Sequence, residues 1–234
     1  MKKRIPCFIL ARKNSKSLKD KNKFLLNKIP LIQHTINFAK KSKYVTDIVI
    51  STDDKKIAEI GKNNKCIVIY PRPKKLSNDQ ATSIEALSHA VNFFLNQYGD
   101  FEILSFLQAT EPLRPKNIMD KCIKILLDNK NIKSAFAGYE YKKNFWIDVN
   151  NKYKLLSPHL ERNKPRQIRK PIFREDCGMA LASRKKTILK KNKLFESPFE
   201  IVPYSSFHGF VDIHKLEDVK LAEILIKFNK NRTK

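Results

Sequence analysis

Short apolar runs alternate with longer amphipathic patterns along most of the chain. The runs are rich in Ile, Val and Phe and are almost continuously apolar, as in strands that are covered on both faces. They predict strands over residues 5–11, 47–52, 66–70, 102–108, 134–141, 177–183 and 209–213.

The segments between these runs repeat apolar residues every three or four positions, which predicts helices. The clearest stripes run from Ile84 to Tyr98 and from Ile118 to Leu126, and a closing helix is expected around Val219 to Ile226. Asp53 or Asp54 is suited to cap the helix that follows the second strand. Repeated strand–helix alternation predicts a mostly parallel sheet between helical layers. In such sheets ligands bind at the carboxyl ends of the strands.

Residues 140–176 interrupt this alternation. The segment is polar, punctuated by prolines and interspersed with aromatic residues. A long irregular insertion of this kind is usually functional, so a lid or an oligomerisation arm is expected there. The length of 234 residues suits one large domain that carries such an insertion.

The chain is strongly basic, with 48 Lys and Arg against 23 Asp and Glu, a net charge of +25. Such a surplus raises nucleic acid or an anionic membrane surface as a partner. Because the lysines are scattered along the whole chain, a generally solvated surface is favoured and neither partner is expected. The four widely spaced cysteines form no metal-binding cluster and suggest free thiols in a reducing compartment, so we expect a cytoplasmic protein.

The loop after the first predicted strand, LARKNSKSLKDKN (10–22), lies where a ligand would bind. It lacks the glycines of a P-loop or a dinucleotide fold, so side chains would have to hold any phosphates. Arg12 offers a planar fork of donors, and Lys16 and Lys21 offer point charges. On its own, such a run of charges is more often a solvated loop.

Other polar residues follow the predicted strands. Arg72 comes shortly after a strand, Ser83 stands at the head of a helix, and Gln108 ends a strand. A helix start favours anions because its N–H groups are free. Asp212 and His214 are expected to lie on one face of the last predicted strand, a spacing that can hold a divalent ion.

Taken in order, eight segments resemble the CMP-N-acylneuraminate synthetases. They are ARKNSKSLKDKN, PLIQHTINFA, VISTDDKKIAEI, YPRP, DQATS, LQATEPLR, PRQ and VDIHKLEDVKLAE, and they span nearly the whole chain. The resemblance implies an α/β fold with a doubly wound, mostly parallel sheet, a Rossmann-like nucleotidyltransferase domain over residues 1–234. It also implies a small dimerisation arm at about 140–176 and a homodimer.

The family joins CTP to a nine-carbon, sialic-type 2-keto sugar acid with Mg²⁺. The anomeric hydroxyl attacks the α-phosphate and pyrophosphate leaves. By resemblance, the catalytic residues are Arg12, Lys16, Lys21, Arg166 and Asp212. Arg166 would come from the arm, in some cases from the neighbouring subunit. The nucleotide-binding residues are Arg12, Asn22, Arg72, Ala81 and Ser83. The sugar-binding residues are Gln108, Thr110, Arg174 and Asp176, and the metal ligands are Asp212 and His214.

The chain departs from the family pattern at three places. The family usually has VDID where His214 ends VDIH, so His214 could act through water, as a base, or not at all. The family has FR or YR followed by NG where this chain has FREDCG, and Glu111 replaces a common serine. These changes leave legionaminic, pseudaminic or octulosonic acid open as the substrate. A catalytically inactive basic binding module of the same fold is the other alternative.

Overall fold

The structure is a computed structural model and describes residues 3–15, 17–156 and 163–232. Its strands are β1 (Pro6–Leu10), β2 (Leu25–Leu26), β3 (Ile29–Pro30), β4 (Asp47–Ser51), β5 (Ile67–Ile69), β6 (Ile103–Gln108), β7 (Ser134–Tyr141), β8 (Trp146–Val149), β9 (Lys152–Leu155), β10 (Ile172–Arg184) and β11 (Phe199–Tyr204). Its α-helices are α1 (Leu31–Ala39), α2 (Lys55–Asn63), α3 (Ser83–Tyr98), α4 (Ile118–Asp128), α5 (Lys185–Lys191) and α6 (Leu216–Arg232).

A seven-stranded sheet, counted over the described residues, has the order β11-β7-β10-β6-β1-β4-β5. Strands β5, β4, β1 and β6 run parallel, β11 is parallel to β7, and β10 is antiparallel to both of its neighbours. The expected mostly parallel sheet is confirmed. The ends of β1, β4, β5 and β6 therefore open on one edge, where ligands bind in such sheets.

Helices cover both faces of the sheet. On β1, Cys7 and Ile9 join the apolar cluster under α1, α2 and α4, whereas Phe8 joins the cluster under α3 and α5. This alternation is the two-residue period of a strand that is buried on both faces. The α2 helix passes so close to the sheet that a Cβ at Gly61 would lie 2.8 Å from Val68 Cγ2.

A third apolar cluster joins the start of the chain to its end. Leu18 in the opening loop packs with Val211 and Ile213, and Val219 of α6 closes the cluster. This contact brings the basic loop of residues 10–22 beside Asp212 and His214. The loop is thus fixed by burial of apolar side chains rather than by glycines.

The predicted strand at 209–213 is wrong. Phe207–Phe210 form a 3₁₀ turn, and Ile213 makes a single backbone hydrogen bond to Thr110 O (2.8 Å). Val211 and Ile213 are both buried, which gives the alternating pattern of a strand. They pack against Leu18 of the opening loop and against helix α6, however, and do not pair in the sheet.

The structure also contains a strand that the pattern did not predict, β11 at the sheet edge. In addition, β10 begins at Ile172, five residues before the predicted position 177. Both ends of the polar segment 140–176 therefore belong to the sheet.

Between those ends lies the antiparallel hairpin β8–β9, which projects exposed apolar side chains, among them Trp146, Ile147 and Tyr153. Residues 157–162 lie outside the described part of the chain. The predicted role of the segment as an arm stays a prediction. None of the helices described here has the length and apolar character needed to cross a membrane.

Candidate active site

The ends of β1, β5 and β6 and the start of α3 enclose a cavity of about 380 Å³. The sequence-predicted residues that line it are Arg12, Lys21, Asn22, Arg72, Ala81, Ser83, Gln108, Thr110 and His214. Lys16, the remaining predicted residue of the opening loop, lies outside the described residues. The structure therefore brings together nearly all residues that the sequence assigned to the nucleotide.

The opening loop is folded by its own polar groups. Asn22 Nδ2 donates to Arg12 O (2.9 Å), and the Lys13 backbone N–H donates to Asp53 Oδ1 (2.8 Å). Across the cavity, Arg12 Nη1 donates to Asn78 O (3.0 Å) and Asp79 Oδ1 (2.8 Å). The Asn22 amide nitrogen thus supports the loop, while the Arg12 ion pair is solvated enough for a phosphate to replace Asp79.

Arg72 is a nearly buried cation in the cavity wall, with 4% of its surface exposed. Its Nε donates to Ser77 Oγ (3.1 Å), and its Nη2 lies 4.0 Å from Asp53 Oδ1. Burial lowers the pKa of Arg72 and Asp53 raises it, but an arginine stays charged at neutral pH. Arg72 is therefore a fixed positive charge beside the opening loop.

In the turn before α3, several backbone N–H groups already donate hydrogen bonds to side chains of the same turn. Asn78 Oδ1 accepts hydrogen bonds from the backbone N–H of Gln80 (3.0 Å) and Ala81 (2.9 Å). Thr82 and Glu85 form a capping box at the helix start. The predicted backbone contact of Ala81 with a nucleotide is consequently left to its carbonyl oxygen, because its N–H is already engaged.

A chain of three polar side chains closes the cavity. Lys21 Nζ lies 3.3 Å from His214 Nδ1, and His214 Nε2 lies 2.8 Å from Asp212 Oδ2. Because the ammonium can only donate, we assign the ring proton to Nε2, which donates to Asp212. Both ring nitrogens are then engaged and neither is available to a metal ion. Asp212, with a side chain 49% exposed, remains the candidate metal ligand.

Lys21 is only 7% exposed. Burial lowers the pKa of Lys21 below its ordinary value, while the negative charge of Asp212 raises it. The main-chain N–H of His214 donates to Asp218 Oδ2 (2.7 Å), which fixes the segment at the start of α6. The chain Lys21–His214–Asp212 thus connects the opening loop to the C-terminal segment.

A second cavity, of about 580 Å³, adjoins the first and shares Gln108 with it. Arg174 lies there in a bidentate ion pair with Asp176 (2.7 and 2.9 Å), and Tyr204 OH also donates to Asp176. Hydrogen bonding to Asp176 raises the pKa of Arg174. The Asp176 carboxylate is thus occupied in holding Arg174, which makes Asp176 a support for the predicted sugar-binding residue.

Two charged residues at this boundary were not assigned a role from the sequence. Arg114 is buried and donates to the carbonyl oxygens of Gln108, Gly178 and Met179. Glu111 is buried in the wall of the second cavity. Both belong to LQATEPLR, but a sequence gives no sign that a charged side chain is buried.

Arg166 lies in an exposed 3₁₀ turn and lines neither cavity of its own chain. Its predicted contribution to a site stays a prediction. Over the ranges that the structure describes, no three His, Cys, Asp or Glu side chains form a group that could hold a metal ion.

Comparison with known proteins gives two relatives of similar length and a longer one. A pseudaminic acid cytidylyltransferase of Campylobacter jejuni is 28% identical over 95% of this chain and 96% of that protein. A CMP-N,N'-diacetyllegionaminic acid synthase of Legionella pneumophila is 27% identical over 97% of both chains. An N-acylneuraminate cytidylyltransferase of Streptococcus agalactiae is 32% identical over 82% of this chain and 46% of that protein.

Solved structures share the fold. CMP:2-keto-3-deoxy-manno-octonic acid synthetase complexed with CTP matches with a TM-score of 0.70 and 14% identity, covering 97% of this chain and 99% of that chain. A 4-diphosphocytidyl-2C-methyl-D-erythritol synthase matches with a TM-score of 0.71, 10% identity and the same coverage. A family model described as "Cytidylyltransferase" matches residues 7–226. The chain therefore belongs to the cytidylyltransferase family, which confirms the resemblance to CMP-N-acylneuraminate synthetases seen in its sequence.

Proposed function

We propose that the protein transfers CMP from CTP to a nine-carbon 2-keto sugar acid and releases pyrophosphate. The observation that carries this proposal is the pair of adjoining cavities that share Gln108. One is lined by the cations Arg12, Lys21 and Arg72, whereas the lining of the other combines Arg174 with the carboxyl groups of Glu111, Glu175, Asp176 and Asp212. Two different anions, a triphosphate and a carboxylate, suit these two cavities.

The first cavity is assigned to CTP because its charges complement a triphosphate. Arg12 offers a fork of donors, and Lys21 and Arg72 are held in place by burial. The N-terminal end of α3 adds the partial positive charge of a helix start near Ser83. The lysine side chain of Lys21 would stabilise the negative charge that develops on departing pyrophosphate.

The second cavity is assigned to the sugar acid. Arg174 is oriented by Asp176, by Gly209 O (2.7 Å from Arg174 Nη2) and by the ring of Tyr139 at 5.3 Å. A guanidinium held in this way suits a carboxylate. The relatives named for pseudaminic and diacetyllegionaminic acids match this chain over nearly their whole lengths, which supports acids of this type beside N-acetylneuraminic acid.

The reacting groups would meet where the cavities join, beside Gln108 and Asp212. The anomeric hydroxyl of the sugar gives up its proton to water, its oxygen forms a bond to the α-phosphorus, and the bond from that phosphorus to the bridging oxygen of pyrophosphate breaks. Gln108, which lines both cavities, would orient the two substrates.

Asp212 suits Mg²⁺, which commonly binds one or two carboxylates together with substrate phosphates and water. Its Oδ2 accepts from His214, which would hold the carboxylate in place for the ion. When bound, the ion would neutralise phosphate charge and lower the pKa of a hydroxyl that binds it. Oxygens of CTP would complete such a site beside Asp212.

A homodimer is proposed through the 140–176 segment. Its hairpin exposes Trp146, Ile147 and Tyr153, and a cluster of exposed apolar side chains commonly marks a protein interface. A cytoplasmic location is proposed because all four cysteines are unpaired.

The test is pyrophosphate release from CTP and Mg²⁺ with N-acetylneuraminic, legionaminic, pseudaminic and octulosonic acids. Release with one acid, abolished in Arg12→Ala and Asp212→Ala but kept in Asp128→Ala, would support the proposal. Asp128 is a suitable control because it is an exposed aspartate of α4 that lines neither cavity. No release with any acid, and no effect of CTP on the melting temperature, would refute it and favour a binding module.

A further inference from the structure

Glu111 presents a buried carboxyl group in the wall of the second cavity. The residue is 8% exposed, and within the described part of the chain no hydrogen bond or ion pair involves its carboxyl. The carboxyl oxygens are not among the fully enclosed polar atoms that lack a partner, which agrees with a carboxyl that reaches the cavity. The two arginines near it make their hydrogen bonds to other groups of the protein. Arg174 pairs with Asp176, and Arg114 donates to main-chain carbonyls.

A buried polar group without a partner is costly to the folded state. Burial raises the pKa of Glu111 to about 8; Arg114 lowers it, and Asp212 and Asp176 raise it further. An apolar or small residue would avoid this cost. A chain that bears such a cost at the wall of a substrate cavity usually gains a ligand contact from it.

The neighbouring backbone leaves room for this carboxyl. A Cβ at Gly178 would clash with Glu111 Oε1 and would lie 2.8 Å from Gln108 Oε1. The side-chain ends of Glu111 and Gln108 therefore both pack next to Gly178, in space that a Cβ would fill. Since Gln108 lines both cavities, the Glu111 carboxyl lies close to the proposed meeting point of the two substrates.

We propose that Glu111 is a specificity-determining residue that hydrogen-bonds directly to the sugar acid, at a hydroxyl or N–H substituent of its ring or side chain. The inference rests on the proposed function. It deepens that function by selecting, among keto-sugar acids, those that carry a hydrogen-bond donor opposite Glu111. An acid with hydrogen or an ether at that position leaves the carboxyl unpaired and binds more weakly.

The experiment compares wild type with Glu111→Leu and Glu111→Gln, using the acid that gives most pyrophosphate. Glu111→Leu is expected to raise KM for the sugar acid about tenfold or more, with KM for CTP changed less than about twofold. Glu111→Gln keeps an acceptor and the shape, so its KM for the acid should rise less. Glu59→Gln, at an exposed glutamate of α2, is the matched control for loss of charge.

The melting temperature separates binding from structure. Glu111→Leu removes an unpaired buried carboxyl, so it is expected to melt at the wild-type temperature or higher. A residue that only supported the fold would give the reverse, a lower melting temperature with both KM values raised. Deoxy analogues of the acid identify the group that contacts Glu111. The analogue that lacks this group should bind wild type more weakly than the parent acid does, whereas Glu111→Leu should bind the analogue and the parent acid equally well.

An unchanged KM for the sugar acid in Glu111→Leu, with wild type active, would overturn this inference alone. A wild-type protein that neither turns over nor is stabilised by any acid would overturn the proposed function and this inference together. If Glu111→Leu fails to fold, Glu111→Gln and the deoxy series on wild type decide the question. Equal affinity for every deoxy analogue would then overturn the inference.

Discussion

Replacement of Arg114 by methionine should destabilise the protein more than almost any other single change at the site. Arg114 is buried and donates from Nε to Met179 O (2.8 Å), from Nη1 to Thr35 Oγ1 (3.2 Å), and from Nη2 to Gln108 O and Gly178 O (3.2 Å). Its guanidinium also lies 5.4 Å from the ring centre of Phe38. Methionine keeps the apolar contacts but leaves these acceptors unpaired.

The magnitude follows from the cost of breaking a buried charged network, about 3–5 kcal/mol. In a chain of this size about 1 kcal/mol shifts the melting temperature by roughly 2–4 °C. Arg114→Met is therefore expected to melt roughly 6–20 °C below wild type. Arg114→Lys keeps the charge but loses the fork of donors, so its loss should be smaller.

Thermal unfolding followed by far-UV circular dichroism measures the effect, with Lys121→Met on the exposed face of α4 as control. A shift of less than about 2 °C for Arg114→Met would refute the reasoning, since it would mean that water replaces the arginine at no cost. The functional consequence is also specific. Arg114 holds the carbonyl groups at the end of β6 and in β10, so Arg114→Lys should raise KM for both substrates.

Three further experiments test the contacts of Asp54, the metal and the dimer. Asp54→Ala removes the cap of α2 and the ion pair with Lys23 (2.7 Å), and should cost about 1–3 kcal/mol in a urea titration. Burial acts to raise the pKa of Asp54, but Lys23 and the N–H groups of α2 lower it overall. Its stabilisation is therefore present above about pH 4 and is lost as the pH falls through the folded-state value. His214→Asp adds a carboxylate beside Asp212 and should tighten Mn²⁺ binding in the presence of CTP, measured by electron paramagnetic resonance. If Arg166 acts on the neighbouring subunit, mixing inactive Arg12→Ala and Arg166→Ala chains should restore about a quarter of wild-type activity.

Each of these expectations has a contrary outcome. A stability difference between wild type and Asp54→Ala that stays constant from pH 6 to pH 3 would show that the aspartate is not stabilised by its partners. Unchanged or weaker Mn²⁺ binding in His214→Asp would mean that the second position does not face the ion. Mixed chains without activity, from variants that still form dimers by light scattering, would place Arg166 outside the neighbouring site.

The sheet could be predicted because burial on both faces leaves a strong pattern in the sequence. Phe8 and Ile9 face opposite layers, so β1 is apolar throughout, and the other central strands follow the same rule. The apolar pattern fails to predict strands where a residue is buried without pairing in the sheet, or pairs at the sheet edge without a buried pattern. Val211 and Ile213 are buried without being in a strand, whereas β11 pairs at the sheet edge although it contains Pro203.

The candidate site could be predicted only in part. The structure brings Arg12, Lys21 and Arg72 together around one cavity, because they lie in loops that follow strands whose ends meet. The sequence could not show that His214 contacts Lys21, since 193 positions separate them. The sequence also could not show that Arg114 and Glu111 are buried whereas most other ionisable residues are exposed.

The surplus of positive charge has little to do with how the site would hold a triphosphate. Of the many lysines and arginines, the ones that matter are those whose positions are fixed. Lys21 is fixed because Leu18, three residues earlier, is anchored in the same apolar cluster as Val211 and Ile213. The polar chain from Lys21 through His214 to Asp212 lies beside that cluster, so the packing that orders the opening loop also sets the separation between the Lys21 ammonium and the Asp212 carboxylate, the groups proposed to bind phosphate and Mg²⁺. Enlarging or emptying this cluster, for example with Val211→Ala, should therefore weaken CTP binding and metal binding together, as measured by titration calorimetry. Loss of one without the other would show that the two ends of the chain are positioned independently.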